Sequence, residues 1–218
     1  MTTRIEFQRE MDALHQEIIA MGNAVENAID QAMQALVSLD MDQARQVMAG
    51  DDLIDEMERS IDSHCVSIIA RQQPVASDLR DVTSTLKLIT DLERIADHAS
   101  DISERILAMG EMNRQIAVPH DIISITTAAR NMLHKALASY VTHDEEMAAQ
   151  TIQMDDDIDA LFLELKKYLT HLMSVDPVNV PELVEMLLIA KYSERIADHA
   201  QNVAEWVLYY IRGRHVIH

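Results

Sequence analysis

A chain of 218 residues is long enough for one or two domains with a substantial hydrophobic core, which excludes the small scaffolds that need disulfides or metals to fold. Lysine and arginine number 18 against 37 acids, a formal charge of -19, and so acidic a surface repels phosphate backbones and lipid headgroups, excluding direct nucleic-acid binding. With four glycines, four prolines, 4% aromatics and 48% apolar residues, the composition is that of an all-α protein.

Leu14, Ile18, Met21, Val25, Ala28, Ala32, Ala35 and Leu39 repeat with steps of three and four, predicting an amphipathic helix from about Thr3 to Leu39. Asp40, with Gln43 three residues on, approximates a capping box that opens helix two, which runs to about Gln72. Pro74 disfavours helical geometry at Gln73, and Ser77 or Asp78 is placed to cap helix three, which lasts until Gly110. Periodicity lapses from Glu111 to His120, and three further helical stretches follow. Thr142-His-Asp-Glu145 is a capping-box candidate for helix five, Asp176-Pro177 to Pro181 separates it from helix six, and Gly213 follows the last periodic residue.

The single cysteine, Cys65, cannot form an internal disulfide and falls on the helix-two stripe near Ile61 and Ile68, as a small core residue would. The first residues lack the apolar core of a signal peptide, and no window approaches 18 uninterrupted apolar residues. The expectation is a cytoplasmic protein with no direct membrane insertion, reaching the inner membrane only through partners. Most of the 14 methionines are in phase with the core stripes.

Glu93-Arg-Ile-Ala-Asp-His-Ala99 recurs letter for letter as Glu194-Arg-Ile-Ala-Asp-His-Ala200, 101 positions later. A weaker echo links Asp51-Asp-Leu-Ile-Asp55 on helix two with Asp155-Asp-Asp-Ile-Asp159 on helix five. The chain is therefore expected to be two duplicated three-helix bundles of long helices, residues 1–112 and 117–218.

At about 100° per residue, Glu93 and Asp97 each lie about 200° from Ile95, and both are expected on the outer face. Glu194 and Asp198 repeat this around Ile196, and Glu26 and Asp30 form a third pair on helix one. Like charges at this spacing repel by a few tenths of a kcal/mol, a cost that solvent makes tolerable on an exposed face and that a bound cation would remove. A verbatim copy in both halves favours the cation, and carboxylate oxygens suit hard ions such as Mg²⁺ or Mn²⁺, or iron. No glutamate has a histidine three residues later, which argues against a ferritin-type di-iron site. His98 and His199 are either extra ligands or, at the stripe edge, hydrogen-bond partners of a neighbouring helix. Gly-rich phosphate loops, nucleophile elbows and His-Glu-x-x-His motifs are missing, so catalysis has little support.

Ile69-Ala-Arg-Gln-Gln-Pro-Val-Ala-Ser-Asp-Leu-Arg80, Leu92-Glu-Arg-Ile-Ala-Asp97, Glu194-Arg-Ile-Ala-Asp198 and Tyr209-Tyr-Ile-Arg-Gly213 together resemble the PhoU family of phosphate-signalling regulators over nearly the whole chain. The resemblance implies a non-enzymatic negative regulator of the phosphate-starvation response, standing between a phosphate ABC transporter, through its ATPase subunit, and a sensor histidine kinase; the long exposed helices add the expectation of a homodimer. It also implies metals at the surface motifs, with Fe, Mn, Mg or Zn as candidates. Carried over by position, the candidate ligands are Glu93, Asp97, Glu194 and Asp198, with Asp55 and Asp159 as weaker additions from the neighbouring helices; Glu26 and Asp30 are further candidates from their spacing on helix one. Glu26 and Asp30 correspond to Arg130 and His134 in the second half, and Asp101 to Asn202, so fuller occupancy is expected in the first half. Arg80, Arg94 and Arg195 are candidate partner contacts, against the plainer role of exposed ion pairs. The alternative from another class is a metal-dependent phosphohydrolase, or a metal-buffering helical protein, supported only by the carboxylate-rich face.

Overall fold

The computed structural model describes residues 2–112 and 116–213, with side chains from residue 5 onward. Six long helices follow in order: α1 (Thr2–Ser38), α2 (Met41–Gln72), α3 (Ser77–Glu111), α4 (His120–Thr142), α5 (Glu145–Val175) and α6 (Val180–Arg212), with a single 3₁₀ turn at Pro177–Asn179. At about 1.5 Å per residue, α1 is on the order of 55 Å long. None of the described helices is long and apolar enough to cross a membrane.

The helix ends follow local chemistry, with two corrections. Asp40 caps α2 by accepting from the backbone N–H groups of Asp42 and Gln43, each at 3.0 Å, while the Gln43 amide turns to Gln34 and leaves the box incomplete. Neither Ser77 nor Asp78 caps α3. The chain leaves α2 through a left-handed Gln73, because Pro74 bars it from helical geometry, and re-enters at Ala76 with φ 50° and no side-chain cap. Thr142 does not open α5 either. It is still helical and donates to the Ala138 carbonyl, so the first extended residue is Asp144, whose carboxylate accepts from Met147 N–H at 2.9 Å. Gly213 ends α6 as expected, at φ 72°, and its missing Cβ also leaves room for the Arg80 guanidinium.

The apolar stripe of α1 packs inward, with Leu14, Ile18, Met21, Val25, Ala32 and Ala35 fully buried. Cys65 is equally buried, and that burial pushes its thiol up to about 12, so it is a packing residue and not a nucleophile. Helices α1, α2 and α3 pack on one another, as do α4, α5 and α6, and the two triplets meet through α3 against α6 and α1 against α4.

Those meetings have the reciprocal pattern of a two-fold axis. Glu26 and Asp30 correspond in the repeat to Arg130 and His134, and each pairs with the other's counterpart: Glu26 with His134 at 2.9 Å, Asp30 with Arg130 at 3.1 Å. On the α3–α6 seam the corresponding residues His98 and His199 face each other with ring centroids 5.6 Å apart. His98 stacks on Tyr192 of α6 while His199 bonds Asp91 of α3 at 2.9 Å, and Asp91 and Tyr192 are again counterparts. The duplication is therefore legible in tertiary contacts as well as in letters.

Candidate functional site

Glu93 and Asp97 do not stand on a fully solvated face. Helix α3 has α1, α2 and α6 as neighbours, so the flank opposite Ile95 lies along α2, and both carboxylates are half-buried there. Asp55 of α2 joins them, and one oxygen from each of the three lies within 4.8 Å of the others. The second half repeats the arrangement with Asp159 of α5 and Glu194 and Asp198 of α6, also within 4.8 Å. Glu194 is 8% exposed, so here the expected outward carboxylate is buried.

A fourth acid adjoins each cluster, one turn before Asp55 and one turn before Asp159. Burial first, and then the charges of Asp97, Asp55, Asp52 and Asp101, push Asp51 up to about 6. Asp155 is likewise pushed up to about 6 by burial, followed by Asp198, Asp159, Glu194 and Asp156. Glu93 and Asp198 are raised as well, chiefly by burial and by the acid four residues away, Asp97 and Glu194 respectively. The Oδ1 of Asp155 is buried with no hydrogen-bond partner. Three converging carboxylates in each half, a fourth acid beside them that holds its proton unusually tightly, and in the second half an orphaned oxygen are what a hard cation would relieve, and the oxygen-only donor set suits one. Asp55, Glu93 and Asp97 would hold it in the first half, with Asp51 beside them; Asp159, Glu194 and Asp198 would do so in the second, with Asp155 beside them. Asp51 and Asp155 are the acids that sequence reasoning left out of the ligand set, although the echo between Asp51–Asp55 and Asp155–Asp159 was the signal for them.

Glu26 and Asp30 lie at the α1–α4 contact, where His134 and Arg130 bond them, and they join neither carboxylate group. Asp101 accepts from His98 Nδ1 at 3.1 Å instead of joining a cluster. His199 takes the expected role of bonding a neighbouring helix, whereas His98 bonds its own. Of the three arginines, Arg94 spans Asp97 at 2.8 Å and Glu93 at 3.4 Å. Arg80 lies under the C-terminal turn of α6 beside Gly213, and Arg195 is exposed.

Comparison with known proteins gives a consistent result. The PhoU domain matches this chain twice, over residues 18–106 and 122–207. A phosphate-specific transport system accessory protein PhoU homolog of Clostridium acetobutylicum is 36% identical over 98% of both chains. The Escherichia coli (strain K12) phosphate-specific transport system accessory protein PhoU is 32% identical, over 98% of this chain and 88% of its own. The crystal structure of PhoU from Pseudomonas aeruginosa superposes with a TM-score of 0.92 at 35% identity, covering 95% of this chain and 100% of that one. That of the phosphate transport system regulatory protein PhoU from Streptococcus pneumoniae gives 0.90 at 27% identity, covering 97% and 99%.

Proposed function

The chain belongs to the PhoU family of phosphate-transport accessory proteins, regulatory and not enzymatic, and from that premise we propose that it is a negative regulator of the phosphate-starvation response. In this reading it works in the cytoplasm, contacts the ATPase subunit of a phosphate ABC transporter and a sensor histidine kinase, and reaches the membrane only through them. Similarity over nearly the full length of accessory proteins of the phosphate-specific transport system supports the role. Its units are residues 1–112 and 117–218, a division supported by one PhoU-domain match falling on each side of the linker.

The observation that carries the metal part of the proposal is the pair of matching carboxylate clusters at the α2–α3 and α5–α6 seams, each half-buried and each held at an electrostatic cost. Two matching groups of mostly half-buried acids, each held at an electrostatic cost, favour a positive ion as their partner. Cation binding there would tie α2 to α3 and α5 to α6, stiffening the surfaces a partner reads. Pull-down with the transporter ATPase and the sensor kinase, in phosphate-rich and phosphate-poor extracts, tests the regulatory role. Binding to neither partner under either condition refutes it. Elemental analysis of protein purified without an affinity metal tests the clusters, with metal content expected to fall in Glu93→Gln/Asp97→Asn.

A further inference from the structure

The two clusters are made of corresponding acids, but their own cations treat them differently. Lys191 lies three residues before Glu194 on α6, and its ammonium donates to both oxygens of the Glu194 carboxylate. The same ammonium lies 5.2 Å from the centre of the Phe162 ring on α5, and it draws Asp198 down against the burial and the Glu194 charge that raise it. The Glu194 side chain is 10% exposed and that of Lys191 39%, so the carboxylate end of the pair is sheltered from water and salt.

The first cluster has no such plug. The position corresponding to Lys191 is Thr90, an uncharged, exposed residue whose hydroxyl donates to the Leu86 carbonyl. Its cations are Arg59 and Arg94, whose side chains are 67% and 54% exposed and approach from the solvent side. Each uses a single oxygen per acid: Arg59 takes Oδ2 of Asp55, and Arg94 takes Oδ2 of Asp97 and Oε2 of Glu93. One oxygen therefore stays open on each of Asp55, Glu93 and Asp97, and exposed pairs of this kind break readily. Glu194 keeps neither oxygen open, and its partner is held by both carboxylate oxygens and by an aromatic face.

We propose that Lys191 is a resident counter-ion occupying the Glu194 ligand oxygens, so that the first cluster takes up a divalent cation before the second, which binds only by displacing the lysine. The inference rests on the clusters being cation sites, and it draws their order of filling from Lys191. It makes the protein a two-step cation responder: α2–α3 is tied at low metal, α5–α6 at higher metal, with release of the ammonium from Phe162 accompanying the second step.

Calorimetric titration of the full chain with Mn²⁺ tests this, with each site isolated in turn. Glu93→Gln/Asp97→Asn leaves the second cluster and Glu194→Gln/Asp198→Asn leaves the first; the second is expected to bind at least about tenfold more weakly, the equivalent of breaking one sheltered ion pair. Adding Lys191→Thr to the first of these proteins brings its affinity to within about threefold of the other. The converse change, Thr90→Lys with Glu194→Gln/Asp198→Asn, weakens the first cluster by about tenfold and decides the matter even should Lys191→Thr fold poorly. Equal affinities at the two clusters, or an affinity unmoved by Lys191→Thr and Thr90→Lys, overturns the proposal while leaving the cation sites standing. No Mn²⁺ binding by the unaltered protein overturns both.

Discussion

Replacing Asp155 with asparagine is expected to stabilise the metal-free protein. Burial and the charges of Asp198, Asp159 and Glu194 carry its carboxyl from 3.8 to about 6. A difference of about 2 in pKa would be worth ~3 kcal/mol to a fully shielded group. Asp155 is only partly buried, and screening by solvent brings the expected gain to ~1 kcal/mol. The sign follows from proton linkage. Between about pH 4 and pH 6 the folded state holds a proton that the unfolded chain has released, so stability rises as pH falls through that window. Above pH 6 the folded protein carries the full repulsion. Asp155→Asn removes it, so urea unfolding in EDTA at pH 7.5 is expected to show a higher midpoint with an unchanged slope. A thermal melt of a domain this size would move by about 2–4 °C per kcal/mol. At pH 5 the gain shrinks, because the wild-type group is already largely protonated. A variant less stable than wild type at pH 7.5, or one whose gain is the same at both pH values, would refute the reasoning that these acids are packed at an electrostatic cost.

The remaining expectations concern the scaffold. Gly213→Ala puts a Cβ 2.1 Å from Arg80 Nη1 at a residue with φ 72°, and a loss of about 1–2 kcal/mol is expected by urea unfolding; a loss below about 0.3 kcal/mol would show that Arg80 simply moves aside. Asp91→Ala strips the acceptor from His199, Asn202 and Trp206 on the α3–α6 seam, for about 2–4 kcal/mol, and Trp206, the single tryptophan, should report it as a red shift in fluorescence. An unshifted spectrum would mean the seam holds without that carboxylate. The hydrogen bond to Asp81 holds His15 above its ordinary 6.5 despite burial, so this contact stabilises the fold fully below pH 6.5 and is lost as pH rises through the raised value. Asp81→Asn should lower the His15 titration midpoint seen by NMR and flatten stability over that range; a midpoint left unchanged would place the cause elsewhere.

Six helices, the break at Pro74, the Asp40 cap and the duplication were all legible in the chain, because each depends on residues within a few positions of one another or on a letter-for-letter copy. Periodicity also placed Glu93 with Asp97 and Glu194 with Asp198, since residues four apart on one helix are neighbours wherever that helix goes. Three things waited for the tertiary structure. Which flanks of α3 and α6 are covered depends on α1, α2, α4 and α5 packing around them, and so Asp51 and Asp155 come to lie beside the clusters while the Glu194 carboxylate is buried. What faces Glu26 and Asp30 across the pseudo-two-fold axis, His134 and Arg130, is likewise decided by how α1 meets α4. Whether Lys191 is a solvated lysine or a plug depends on α5 bringing Phe162 beneath it and on how little water reaches Glu194. Spacing along one helix specifies a direction from its axis; charge state and availability are set by how neighbouring helices are rotated and how much solvent they leave between them.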